Sequence, residues 1–160
     1  MKCPACENSF TEKKVSGIQV HICSGFCGGF WFSLSQIKKI KGVKPGTGCE
    51  LLLLEKAEGV KIYRGAEHPC PQCKTTLLYR HFFSKQYDIE VDQCSKCSGF
   101  WIDVGGLIDI MKKPENDELI KKYSAVIFDE KISGMNLANQ DIAEAAKLIT
   151  EIFKFLQPQI

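Results

Sequence analysis

The sequence predicts a small α+β protein: two tandem modules, each a β-hairpin followed by a short helix, and then a C-terminal helical segment. Three observations carry this reading. A cysteine motif is written twice, with Cys3-Pro4-Ala5-Cys6 returning as Cys70-Pro71-Gln72-Cys73, and Cys27-Gly28-Gly29-Phe30-Trp31 returning as Cys97-Ser98-Gly99-Phe100-Trp101. Between the cysteine pairs of each copy, apolar residues alternate with polar ones. The cysteines stop at Cys97, and beyond residue 114 the apolar spacing becomes helical.

In the first module, residues 1–41, Ile18, Val20 and Ile22 alternate with Gln19 and His21, the period of a half-buried strand, and Ser16-Gly17 marks the turn before it. After Trp31, Ser33 and Gln36 have the spacing of a capping box, which opens a helix running to Lys41 with Gly42 as its stop. In the second module, residues 68–113, Tyr87, Ile89 and Val91 alternate with Asp88, Glu90 and Asp92, and the stretch from Thr76 to Phe83 would pair with them across Ser84-Lys85. Asp103 is placed as the N-cap of a helix through Leu107, Ile108 and Ile110 to Lys113, ended by Pro114.

Residues 42–67 read as a linker: a loop containing Gly42, Pro45, Gly46 and Gly48, then a hairpin candidate from Leu51 to Tyr63 in which the four-leucine run fits strand and helix equally. Residues 114–160 read as helices, a short one from Glu115 to Tyr123 and a longer one from Asn139 to Gln157. In the longer one Ile142, Ala145, Ala146, Ile149, Ile152, Phe153 and Leu156 share a face that Leu148 and Phe155 widen. That arc is divided between two uses, an intramolecular core and a partner or dimer surface.

Eight of the nine cysteines sort into four close pairs, Cys3/Cys6, Cys23/Cys27, Cys70/Cys73 and Cys94/Cys97. Two cysteines separated by two residues wrap a turn that aims both sulfurs at one centre, and a second pair across a hairpin completes a tetrahedron. Shorter loops close more readily, so the pairs are assigned within a module rather than between modules. The expectation is two closed structural zinc sites, Cys3, Cys6, Cys23 and Cys27 in one and Cys70, Cys73, Cys94 and Cys97 in the other. Cys23-Ser24-Gly25-Phe26-Cys27 has one extra intervening residue, for which Gly25 supplies a positive backbone angle. Rubredoxin-like iron, also held by four thiolates, is the alternative metal. Four cysteines leave no open position for water, so the metal is read as structural and the protein as not an enzyme. Trp31 and Trp101 are expected to cover the metal centres, and Gly28, Gly29 and Gly99 to bring backbone amides to the sulfurs. Cys49 reads as a bystander thiol, and His68, beside Cys70, as a weaker substitute ligand than any cysteine.

Composition narrows the setting. Leu, Ile, Val and Phe make up 45 of the 160 residues, enough for a folded chain. The longest aliphatic run is Leu51 to Leu54, far short of a membrane helix, and the first residues lack the apolar stretch of a secretory signal, so a cytoplasmic location is expected. The formal charge is +2. Eight thiolates and two divalent ions would bring it to about −2. Lys38, Lys39, Lys41 and Lys44 form the basic cluster, at a helix end where cations suit the macrodipole.

Cys-Pro-x-Cys, an alternating strand, Cys-x-x-Cys and then Gly-Phe-Trp with Ile102, Asp103, Gly105 and Leu107 resembles the transcription-factor-IIB-type zinc-finger family of small bacterial zinc-ribbon-like proteins. The resemblance covers about residues 1–41 and 68–113. It implies zinc on the same eight cysteines and a small metal-bound α+β architecture of two zinc-ribbon or rubredoxin-like modules. The function expected is a non-enzymatic protein-interaction platform, with an unidentified protein partner and self-association through the C-terminal helix as a further contact. A transcription-associated role binding nucleic acid or polymerase is the first alternative, which the charge does not favour. A redox or iron-binding role is the second.

Overall fold

The computed structural model describes residues 1–53, 68–84, 89–103 and 139–156. The strands are β1 (Thr11–Val15), β2 (Ile18–Ile22), β3 (Phe30–Phe32), β4 (Leu78–Ser84), β5 (Ile89–Cys94) and β6 (Phe100–Asp103); the helices are α1 (Leu34–Ile40) and α2 (Asn139–Leu156). A 3-10 turn spans Cys49–Leu53, which decides the leucine run for helix as far as Leu53. The rest of the hairpin candidate, the helix expected after Asp103 and the one expected from Glu115 lie outside the described residues.

Both hairpins form where alternation predicts them, as far as they are described; Lys85, Tyr87 and Asp88 lie outside the described residues. β1 pairs antiparallel with β2 in the register Val15↔Ile18 to Thr11↔Ile22, turning through Ser16 and Gly17, both at positive φ. β4 pairs with β5 from Leu78↔Cys94 to Ser84↔Ile89, with an irregularity between Arg80 and Phe82. α1 begins with the capping box read from the sequence: Ser33 Oγ accepts from the Gln36 N–H, and the Gln36 side chain accepts from the Ser33 N–H at 2.7 Å.

The Gly-Phe-Trp segments differ from expectation. They form third strands, β3 and β6, of which β3 runs through the Ser33 cap directly into α1, and the two strands pair antiparallel with each other: Phe30↔Ile102, Trp31↔Trp101, Phe32↔Phe100. The two hairpins thereby join one six-stranded antiparallel sheet in the order β1-β2-β3-β6-β5-β4, with the two tryptophans opposite one another at its middle. Asp103 is the last residue of β6, and the helix it is expected to cap lies outside the described residues.

Alternation along β3 and β6 sorts the interior into two layers. On one face Phe30, Phe32, Phe100, Ile102 and Val91 pack with Val20 and Ile22 of β2, Ile37 and Ile40 of α1, Leu51 and Leu52, and Ile149, Ile152, Phe155 and Leu156 of α2. Phe30 and Phe32 stack there, ring centroids 6.0 Å apart. On the opposite face lie Trp31, Trp101 and the cysteines. Each module taken alone lacks apolar residues for a core. The shared sheet and α2 supply one, so the metal sites are not the whole of what holds the fold.

The described apolar side chains of α2 therefore go to the protein's own core. The helix is seated on the loop after α1: Gly46 and Gly48 donate to the Lys154 and Phe155 carbonyls, each at 2.8 Å. A Cβ on Gly48 would lie 2.4 Å from the Phe155 ring, so that glycine is needed for the docking. The polar positions of β5 also depart from expectation. Glu90 and Asp92 are buried, because β5 is an interior strand flanked by β4 and β6, where Asp92 stands opposite Trp101 and Glu90 opposite Asp103 of β6, itself buried.

Candidate metal centres

Each centre is built from two turns. In the first turn of each module, Cys-Pro-x-Cys is closed by matching backbone hydrogen bonds: Cys3 N–H to the Asn8 carbonyl and Cys70 N–H to the Thr76 carbonyl, both 2.7 Å, then Glu7 N–H to Cys3 and Lys74 N–H to Cys70, at 2.9 and 2.8 Å. Glu7 (φ 63°) and Lys74 (φ 64°) hold the left-handed conformation that lets the chain leave the turn. The second turns match as well: Cys23 N–H donates to the Gly29 carbonyl at 2.8 Å and Cys94 N–H to the Gly99 carbonyl at 3.0 Å. The extra residue of the first module is absorbed inside its turn, where Gly25 has φ 78° and Phe26 points outward. Gly28 and Ser98 then restore equivalence, both at positive φ and each donating at 3.0 Å to the carbonyl of the preceding cysteine pair's first member.

A left-handed non-glycine residue costs about 1 kcal/mol, which glycine avoids at the expense of a more flexible unfolded chain. Lys74→Gly is therefore expected to raise stability by about 0.5 kcal/mol, read as a higher denaturant midpoint with the metal content unchanged.

The hairpins bring the turns together. The Sγ atoms of Cys3, Cys6, Cys23 and Cys27 lie within 4.8 Å of one another, as do those of Cys70, Cys73, Cys94 and Cys97. Across the hairpins, Cys3 lies 3.5 Å from Cys27, Cys6 3.4 Å from Cys23, Cys70 3.7 Å from Cys97 and Cys73 3.9 Å from Cys94. Four sulfurs at about 2.3 Å from a central ion would be about 3.8 Å apart, so the spacing suits a tetrahedral ion. A disulfide would need about 2.05 Å, and none is present among these cysteines. His68 is buried but belongs to neither cluster, and its carbonyl accepts from Leu78. Cys49 opens the 3-10 turn and also belongs to neither.

The donor set calls for a cation. In the first cluster, hydrogen bonds from Cys27 and Cys3 hold the Cys23 thiol down to about 2, and hydrogen bonding with Cys23 in turn pushes Cys3 and Cys27 well up. In the second, burial pushes Cys70 and Cys97 up. Burial acts on Cys94 too but is outweighed by the Cys97 and Lys96 N–H groups and the neighbouring thiols, which bring it down. Crowded thiolates repel one another, so the shifts run in opposite directions within each cluster. Four together need a central positive charge, which a divalent ion supplies. Polar hydrogens already face the sulfurs: Gly29 N–H to Cys27 at 3.4 Å, Cys73 N–H to Cys70 at 3.3 Å and the Asn8 amide to Cys6 at 3.3 Å.

A family model described as transcription factor zinc-finger, of the TFIIB zinc-ribbon type, matches residues 2–42 and 69–113, just over half of the chain. The chain belongs to this transcription factor zinc-finger family. The two matched segments are the two cysteine modules. No curated protein and no solved structure matches the chain. Both family segments end beyond their third strands, and it is these strands that join them.

The tryptophans were expected to cover the metal centres, and they do so crosswise. Trp31 and Trp101 are fully buried in the layer that holds the cysteines. A Cβ on Gly99 would lie 2.4 Å from the Trp31 ring, and one on Gly29 2.8 Å from the Trp101 ring. Each module's tryptophan therefore lies over the second cysteine turn of the other module. The repeated Gly-Phe-Trp was visible in the sequence; the exchange was not, because it depends on which strands pair.

Proposed function

We propose that this family member is a non-enzymatic zinc protein whose two structural four-cysteine sites hold a rigid platform for binding another protein. The closed, all-thiolate, tetrahedral spacing would suit zinc or iron, and zinc is chosen because it is the common structural occupant of such sites and because the matched family is a zinc-finger one. Closed sites with no fourth position for water speak against metal-assisted hydrolysis.

The observation that carries the reading is the burial of the aromatic residues. Both tryptophans, Phe30, Phe32, Phe100 and Phe155 are buried, and among the aromatic side chains the structure describes Phe26 is the most open, at 39%. Nucleic-acid platforms stack bases on exposed aromatic rings along a basic groove, and the rings buried here are withdrawn from that use. A second reading, nucleic-acid or polymerase binding in transcription, draws its support from Lys38, Lys39, Lys41 and Lys44, all exposed at the end of α1. Among the described residues no helix is long and apolar enough to cross a membrane.

Affinity capture from native extract, with and without nuclease and chelator, separates the two. The platform reading expects a defined protein retained after nuclease treatment and released by chelation. Retention that vanishes with nuclease, weakens steeply with salt and is lost when Lys38, Lys39 and Lys41 are changed to Glu would replace it with the second reading.

A further inference from the structure

The exchange of tryptophans has a thermodynamic consequence for metal uptake. Trp31 belongs to β3, which directly follows the Cys23–Cys27 turn, yet its ring fills the space over Gly99 of the second module. The Gly99 carbonyl holds the Cys94 N–H and so closes the turn that presents Cys94 and Cys97. Trp101 does the reverse. Its ring fills the space over Gly29, whose carbonyl holds Cys23 and whose N–H donates to the Cys27 sulfur. Between the two turns runs the β3–β6 ladder, with Trp31 and Trp101 in direct register. Each second turn is thus packed against a ring carried by the opposite module.

From this we infer that Trp31 and Trp101 are positioning residues for each other's metal centre, and that the two sites take up zinc with positive cooperativity. The inference rests on metal binding by the eight cysteines and goes beyond it by tying the two sites together. The first ion orders its own turns, fixes the tryptophan lying over them, and with it aligns β3 and β6. The second ion then meets a turn already shaped. Ordering that the first event has completed is not repeated for the second, and the saving appears as tighter binding.

The test is a zinc titration of the full, metal-stripped, reduced chain, with the zero-, one- and two-ion forms resolved by native mass spectrometry. At an average of one ion per chain, equal independent sites leave about half of the molecules with one ion, and unequal independent sites leave more. Coupling of about tenfold lowers the one-ion form to about a quarter. A one-ion fraction at or above that set by the separate affinities of the two sites, each measured in the chain whose other site has lost its second cysteine pair to alanine, overturns the inference while leaving the metal sites intact; a chain that takes up no zinc overturns both. Trp31→Phe and Trp101→Phe, which keep an apolar ring on the strand but fill the opposite seat incompletely, are expected to return the one-ion form toward half. If wild type is cooperative and both variants keep the same distribution, the coupling does not run through the tryptophans and their assignment is overturned.

Discussion

Replacing Cys23 and Cys27 together by alanine is expected to lower bound metal from about two ions per chain to about one and to destabilise the protein by about 5 kcal/mol or more. The figure is set below the full apparent binding energy of a structural zinc because the shared sheet does not depend on metal alone. Phe30, Phe32, Phe100, Ile102 and the α2 residues stay apolar and stay together on the far face. The near-ultraviolet signal of the tryptophans is expected to collapse while helical signal partly persists, since both rings stand in the cysteine layer. Elemental analysis with circular dichroism checks this. An unchanged metal content, or an unchanged melting midpoint, would contradict the assignment of these thiols.

Gly99→Ala is expected to cost about 3 kcal/mol, the upper part of the range for overpacking a filled interior. The added methyl would fall 2.4 Å from Trp31, and the ring, fully buried and opposed by Trp101, has nowhere to retreat. Gly42→Ala is the control. Its Cβ would meet nothing nearer than the Lys39 carbonyl at 3.9 Å, so its effect is expected within about 0.5 kcal/mol. Trp31→Phe combined with Gly99→Ala is expected to be less destabilising than the sum of the two, because the smaller ring vacates space the methyl takes. Denaturant unfolding of the four proteins reads this directly. Strict additivity would mean that the two residues do not meet.

Much of the local structure was legible from residue order. Alternation at Ile18, Val20 and Ile22 gave β2 its inward face, Ser33 and Gln36 opened α1, and the periodic apolar residues after Asn139 foretold α2. These are short-range features, governed by period, capping and turn chemistry. Strand pairing between modules is not. The segment from Phe30 to Phe32 was read only as the approach to a helix, since three apolar residues carry no readable period. The burial of Glu90 and Asp92 was missed for the same reason: alternation places them on one face, and whether that face meets water depends on β6 arriving beside it.

By itself, the order of residues determined the chemistry: four pairs of thiols at spacings that converge, repeated, with turns that can close around an ion. Only the tertiary structure decided that the two copies form one body rather than two beads. The physical reason is that each copy presents the edge of its third strand and a bulky indole, and the opposite copy offers the matching edge and the glycine over which the ring sits.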